Sequence, residues 1–126
     1  MAKTQDEIKE LLSTDLFKNG MANNYIAINS DNSYITYYCK NNARRKLCNP
    51  EEFVQATAYL KLIIDYNYSP LNISVNENVQ ICSSIKEADI LVYNETNSKI
   101  LIVVECKEEQ INEIPVLKQG FFIILA

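Results

Sequence analysis

Apolar residues at Ile8, Leu11, Leu12 and Leu16 follow one another at the three- and four-residue spacing that lines one face of a helix. Thr4 precedes them with Glu7 three residues later, the pattern of a capping box, and Gly20 offers a stop, so this segment predicts one amphipathic helix. From Asn24 to Tyr38 the chain is rich in Tyr, Ile and Asn and is interrupted by Ser30-Asp31-Asn32-Ser33, which predicts a hairpin or a loose pair of short strands. Asn49 then stands as an N-cap and Pro50 as the first helical residue. Glu51 and Glu52 follow in the first turn, where the helix dipole favours negative charge. This second helix is expected to run to about Tyr66, with Phe53, Leu60 and Ile64 on its apolar stripe and Val54 and Ile63 beside it. Pro70 bars further helix.

Beyond it lie three strand-like runs, Asn72 to Ile81, Ala88 to Tyr93 and Lys99 to Cys106, the last two joined by the polar stretch Asn94 to Ser98 that suits a hairpin loop. Glu108 to Leu117 reads as a short helix limited by Pro115, and Phe121 to Leu125 as a final strand. After the first segments the order is therefore helix, three strands, helix, strand.

The chain has 126 residues, which suits one domain over 1–126, and its 48% hydrophobic and 22% charged content is that of a globular protein. No apolar run approaches the roughly 20 residues of a membrane span, and MAKTQDEIKE is too polar for a signal peptide, so the cytoplasm is the expected compartment and no membrane partner is expected. The four cysteines, Cys39, Cys48, Cys82 and Cys106, form no CxxC pair and are expected to be reduced. There is no histidine, which excludes Ser-His-Asp triads, Cys-His nucleophiles and histidine-ligated zinc from within the chain. The net charge of −4 is the wrong sign for a protein that holds nucleic acid by neutralising phosphates. Contact with DNA would have to be local or assisted; the one basic cluster is Lys40, Arg44, Arg45 and Lys46, whose plainer reading is a solvated loop.

The chemistry concentrates in carboxylates. Side chains alternate along a strand, so Glu105 and Lys107 point the same way at the end of the apolar run Leu101 to Val104. That strand reads as buried on both faces, and charges delivered to the edge of a core need compensation. Asp89 begins the preceding strand, and a hairpin would bring it toward Glu105. Two converging carboxylates repel unless protonated or bridged by a cation, and Mg²⁺ is the natural bridge. Glu77 shares the apolar parity of Ile73, Val75, Val79 and Ile81, which makes it either a further candidate ligand or an edge charge that discourages aggregation. Glu52 also completes a capping-box arrangement after Asn49.

Pro50-Glu51-Glu52, Glu77, Glu87-Ala88-Asp89-Ile90 and Val104-Glu105-Cys106-Lys107 resemble, in order and spacing, the N-terminal domain of type I restriction enzyme R subunits, a branch of the PD-(D/E)xK nucleases. The likeness covers about residues 49 to 110. It implies an α/β fold (α+β, with a mixed sheet), namely a restriction-endonuclease-like αβββαβ core over about 49–126 with an additional N-terminal helix. It further implies Mg²⁺-dependent, or Mn²⁺-dependent, hydrolysis of DNA phosphodiesters. Asp89 and Glu105 would be metal ligands with Glu77 as a third candidate, Lys107 would act on the water and the developing charge, and Glu52 would have a supporting acidic role. Where many relatives carry Arg-Gln after the PEE motif this chain has Gln55-Ala56, and Gln119 is the residue late enough to match the glutamine that follows ECK. The partners implied are DNA, a helicase or translocase motor and other restriction-system subunits. The competing readings are a non-catalytic, DNA-associated interaction or scaffold domain on the same fold, and an unrelated small α/β binding protein whose carboxylates are ion pairs.

Overall fold

The computed structural model describes residues 3–81, 83–106 and 121–125, the last as backbone strand. Cys82, Lys107, Gln119 and the helix expected over Glu108 to Leu117 lie outside the described residues.

The N-terminal segment is two helices, α1 (Gln5–Leu12) and α2 (Asp15–Ala22), where one was expected. The capping box at Thr4 forms: Glu7 N–H donates to Thr4 Oγ1 at 3.2 Å and Thr4 N–H to Glu7 Oε1 at 3.0 Å. The break follows from two hydroxyls that compete for helix carbonyls. Ser13 Oγ donates to Glu10 O at 2.6 Å and Thr14 Oγ1 to Leu11 O at 2.8 Å, and Thr14 adopts extended backbone as the cap of α2. Gly20 lies inside α2 and stops nothing. Its lack of a side chain permits close packing, since a Cβ there would stand 2.5 Å from Leu60 Cδ2.

Three short strands follow, β1 (Ile26–Ile28), β2 (Tyr34–Tyr37) and β3 (Ala43–Lys46), in an antiparallel sheet of that order. Arg44, Arg45 and Lys46 therefore lie on a strand rather than in a loop, and Lys40 sits in the turn before it. Period-two alternation buries Ile35 and Tyr37 on the inner face, while Tyr34 and Thr36 share the outer face with their partners Lys46 and Arg44.

Helix α3 (Pro50–Ile64) starts as expected, with Asn49 Oδ1 accepting from Glu51 N–H at 3.0 Å. It is buried nearly all round, including Phe53, Ala56, Tyr59, Leu60 and Ile63, because it packs between α2 and the second sheet. That sheet runs β4 (Ile73–Ile81), β5 (Ser84–Tyr93), β6 (Ile100–Cys106) and β7 (Phe121–Leu125) in sequence order. The fold is a mixed α/β one. Every described strand pairing is antiparallel, so the mixed sheet expected from the family likeness is replaced by an antiparallel one in which β7 returns directly alongside β6.

One core joins α1, α2 and α3 to both sheets, and Val75, Ile90, Val92, Ile102 and Val104 enter it from the second sheet. Ala88, Leu91 and Val103 form a smaller cluster on the opposite face. On β5, Ile90 and Val92 belong to one cluster while Ala88 and Leu91, three residues apart, belong to the other, so alternation breaks at Asp89. The cause lies opposite on β4. Asn76 takes a left-handed φ of 54° between the regular pairs Val75↔Ile90 and Glu77↔Ala88. This inversion moves Glu77 off the inward face that its sequence parity predicted, and its Oε1 accepts from Tyr93 Oη–H at 3.2 Å instead.

Candidate functional site

The irregular step at Asn76 and Asp89 lies beside the first turn of α3 and the end of β6, and a polar cavity of about 210 Å³ opens there. Its wall carries the carboxylates of Glu51, Glu52, Glu87 and Asp89, with Arg45 the cation among them. Gln55 spans the helix-to-sheet gap, donating to Asn76 Oδ1 at 2.9 Å, and Asn76 Nδ2 donates in turn to Glu87 Oε1 at 3.1 Å.

Glu52 is 5% exposed and does not reach back to cap the helix as its position suggested. Its carboxylate turns inward, where Tyr37 Oη–H donates to Oε2 and Arg45 Nε stands 3.6 Å from Oε1. Burial raises the Glu52 pKa above the ordinary carboxylate range; the Tyr37 hydroxyl and Arg45 oppose that shift and the negative charge of Asp89 reinforces it. Burial beside this carboxylate holds the Tyr37 phenol well above its usual value. Glu52 thus ties β2 and β3 of the first sheet to the helix that opens toward the second.

Asp89 Oδ2 accepts from the Cys106 backbone N–H at 2.6 Å, a bond across the β5–β6 pair. The paired positions of β5 and β6 end at Ile90↔Val104, one residue short of Asp89 and Glu105. Asp89 lines the cavity beside α3, whereas Glu105 shares the strand parity of Val103, which belongs to the cluster on the opposite face. Glu105 is half-buried between Val104 and Cys106, and it is not among the described residues lining the cavity. Burial first, then the charges of Asp89, Glu105, Glu52 and Glu51, push the Cys106 thiol far above its ordinary range.

A profile of the type I restriction enzyme R protein N terminus matches residues 50–121. The chain belongs to this family. No curated protein and no solved structure shows significant similarity to it. The matched region of the restriction-enzyme family member begins at Pro50 and takes in the acidic cavity's helix and strands, whereas α1, α2 and the first sheet precede it.

Among the described residues no group of three or more Asp, Glu or Cys side chains is arranged to hold a metal ion. Mg²⁺ commonly takes one or two carboxylates and completes its shell with water. Glu77 stands with Tyr93 and away from the cavity lining. Cys39, Cys48 and Cys106 are free thiols. No helix among the described residues is long and apolar enough to cross a membrane.

Sequence reasoning did not single out Tyr37, Asn76 or the ion pair of Arg45 with Glu52. Tyr37 carried a usable signal. It shares inward parity with Ile35 on a short strand, and a buried phenol requires a hydrogen-bond partner.

Proposed function

We propose that this chain is a metal-dependent endonuclease domain of the PD-(D/E)xK type that hydrolyses DNA phosphodiesters. The observation that carries the reading is the acidic cavity at the start of α3, whose wall carries Asp89 beside Glu51, Glu52 and Glu87 within the region matched to the family. Asp89 and Glu105 would hold Mg²⁺, for which Mn²⁺ could substitute. The bound ion would supply a water of lowered pKa and positive charge against the phosphate. Lys107, two residues after Glu105, would donate to the attacking water or to the oxygen that gains negative charge, a stabilisation that needs no histidine. Glu52 would act as a positioning acid, fixed by Tyr37 and Arg45 at the cavity wall. A restriction system supplies the setting: a cytoplasmic subunit working on DNA delivered by a helicase or translocase motor, which suits a chain whose net charge is −4.

A second reading has specific support. The carboxylates of Glu52 and Asp89 are both engaged by protein donors, as they would be in a non-catalytic scaffold domain on this fold. Metal-linked stability separates the two. A nuclease site gains thermal stability from Mg²⁺ or Mn²⁺, because a ligand bound only by the native state shifts the folding equilibrium, and Glu105→Gln removes that gain together with cleavage of plasmid DNA. No metal effect on the wild-type melting temperature, and no cleavage with a motor partner present, would favour the scaffold.

A further inference from the structure

Next to the acidic cavity, and sharing Arg45, Asn49 and Glu52 with it, lies a wider groove of about 450 Å³ between β2–β3 and the start of α3. Its other walls are Tyr34, Arg44, Lys46 and Cys48. The sequence cluster that read as a solvated loop is thus split by the fold. Arg45 lies on the inner parity of β3, opposite Ile35, and is committed to Glu52. Arg44 and Lys46 lie on the outer parity, and Arg44 stacks its guanidinium 4.2 Å from the Tyr34 ring centroid, which fixes the cation in place. Lys40 is drawn elsewhere, with Nζ 4.7 Å from the centroid of the Tyr93 ring.

We infer that this groove is the track along which the phosphate backbone of one DNA strand enters the acidic cavity. The inference rests on the nuclease reading for the identity of the polyanion. Arg44 and Lys46 contact successive phosphates, and the Tyr34 ring holds the Arg44 fork at the groove wall. Arg45 stands where the groove meets the acidic cavity, so a strand leaves a cationic surface at the point where the carboxylates begin. Charge complementarity favours a nucleic-acid backbone: the groove opposes a polyanion with Arg44, Arg45 and Lys46, and its uncharged walls are Tyr34, Cys48 and Asn49. The segment that carries these cations lies before the region matched to the family, so the track is built from the part of the chain outside that match.

The test is binding of a fluorescently labelled DNA oligonucleotide to the full chain in EDTA, where cleavage cannot intervene, followed by anisotropy as a function of salt. Arg44→Ala and Lys46→Ala are each expected to weaken binding and to lower the slope of log affinity against log salt by about 0.7 to 0.9, the loss of one phosphate contact. Tyr34→Ala should lower affinity through release of Arg44, whereas Tyr34→Phe, which keeps the ring, should match the wild type. Lys99→Ala, on the hairpin between β5 and β6, is the control and should bind as the wild type does. Wild-type slopes in Arg44→Ala and Lys46→Ala, a Lys99→Ala effect equal to theirs, or no binding by the wild type would overturn the track. The two proposals fail separately. Binding that depends on Arg44 and Lys46 without metal-dependent cleavage removes the nuclease and keeps the track, while cleavage indifferent to Arg44 and Lys46 removes the track and keeps the nuclease.

Discussion

The two cavities on either side of Glu52 share three residues and differ in almost everything else. The smaller one takes its side chains mainly from α3, β4 and β5, with Cys106 of β6 and Arg45 of β3, and gathers four carboxylates around that one arginine. The larger one takes them from β2, β3 and the approach to α3, and gathers two arginines and a lysine around one carboxylate. The charge of each follows from the sheet that builds it. The first sheet contributes Ala43-Arg44-Arg45-Lys46, and the second contributes Glu87 and Asp89, so a chain of net charge −4 still presents a local cationic surface. Glu52 and Arg45 form the seam. Each is the minority charge in one cavity, and each is neutralised by the other at 3.6 Å.

The largest effect that would break this comparison comes from the acidic side. Asp89→Asn keeps an oxygen to accept from the Cys106 N–H, and Glu105→Gln keeps the side-chain shape, yet each removes a charge from the proposed metal site. Both are expected to abolish metal-dependent stabilisation and plasmid cleavage, with oligonucleotide binding in EDTA retained or improved because a repulsive charge is gone. Loss of DNA binding in EDTA by either variant would mean that the two cavities do not divide the work between chemistry and binding.

The seam itself is next. Removing one partner of a fully buried ion pair costs about 3–5 kcal/mol, and an exposed pair contributes about 0–1 kcal/mol. Arg45 is 43% exposed at its side chain while Glu52 is 5% exposed, so Arg45→Ala should destabilise the protein by about 1–2 kcal/mol in denaturant unfolding, between those limits. Equal stability of Arg45→Ala and the wild type would show that Tyr37 alone satisfies the carboxylate.

What the sequence made legible was set by local rules, and what it hid was set by contacts between segments far apart in the chain. The Asn49-Pro50 start of α3 and the loop from Asn94 to Ser98 follow from capping and turn chemistry, which need no tertiary information. Glu52 looked like a capping residue because the position after Asn49 permits it. Tertiary contact won, since Tyr37 and Arg45 offer two donors from another sheet to a side chain that the packing of α3 buries. Glu77 was misread for a related reason. Parity counting assumes an unbroken pleat, and the left-handed Asn76 inverts the pleat between Val75 and Glu77 while keeping the strand register. Asparagine tolerates that conformation better than most residues, but among the described residues Asn76 is one of six non-glycine residues with positive φ, all of them Asn, and nothing in its sequence neighbourhood marks it as the one inside a strand. The β5–β6 hairpin itself survived these errors, pairing antiparallel up to Ile90↔Val104.

The pH dependence sharpens the seam. Burial raises the Glu52 pKa above the ordinary 4.5, so the native state binds that proton more tightly than the unfolded chain. The stabilisation this group contributes is therefore fully present below about pH 4.5 and is lost as pH rises through the raised native value. Glu52→Gln should flatten that decline in unfolding experiments across the acidic range, and Arg45→Ala, which removes an opposing charge, should steepen it and carry it to higher pH. A decline of the same size in Glu52→Gln would assign it to other carboxylates.

The smallest effect expected is at Lys40, and it sets the boundary of the basic region. In sequence Lys40 belongs with Arg44, Arg45 and Lys46, and charge counting alone would give it a phosphate. The fold separates it: its backbone N–H donates to Ile73 O at 2.8 Å at the start of β4, and its ammonium lies over the Tyr93 ring, whose hydroxyl donates to Glu77. An exposed cation–π contact contributes about 0.5–1 kcal/mol, so Lys40→Ala should cost no more than that in stability. Its salt slope for oligonucleotide binding should equal that of the wild type, in contrast to Arg44→Ala. If Lys40→Ala lowered the slope as Arg44→Ala is expected to, DNA would have to cross from the first sheet to the Tyr93 face of the second. The division between a basic groove on one sheet and an acidic cavity on the other would then not describe how this protein meets its substrate.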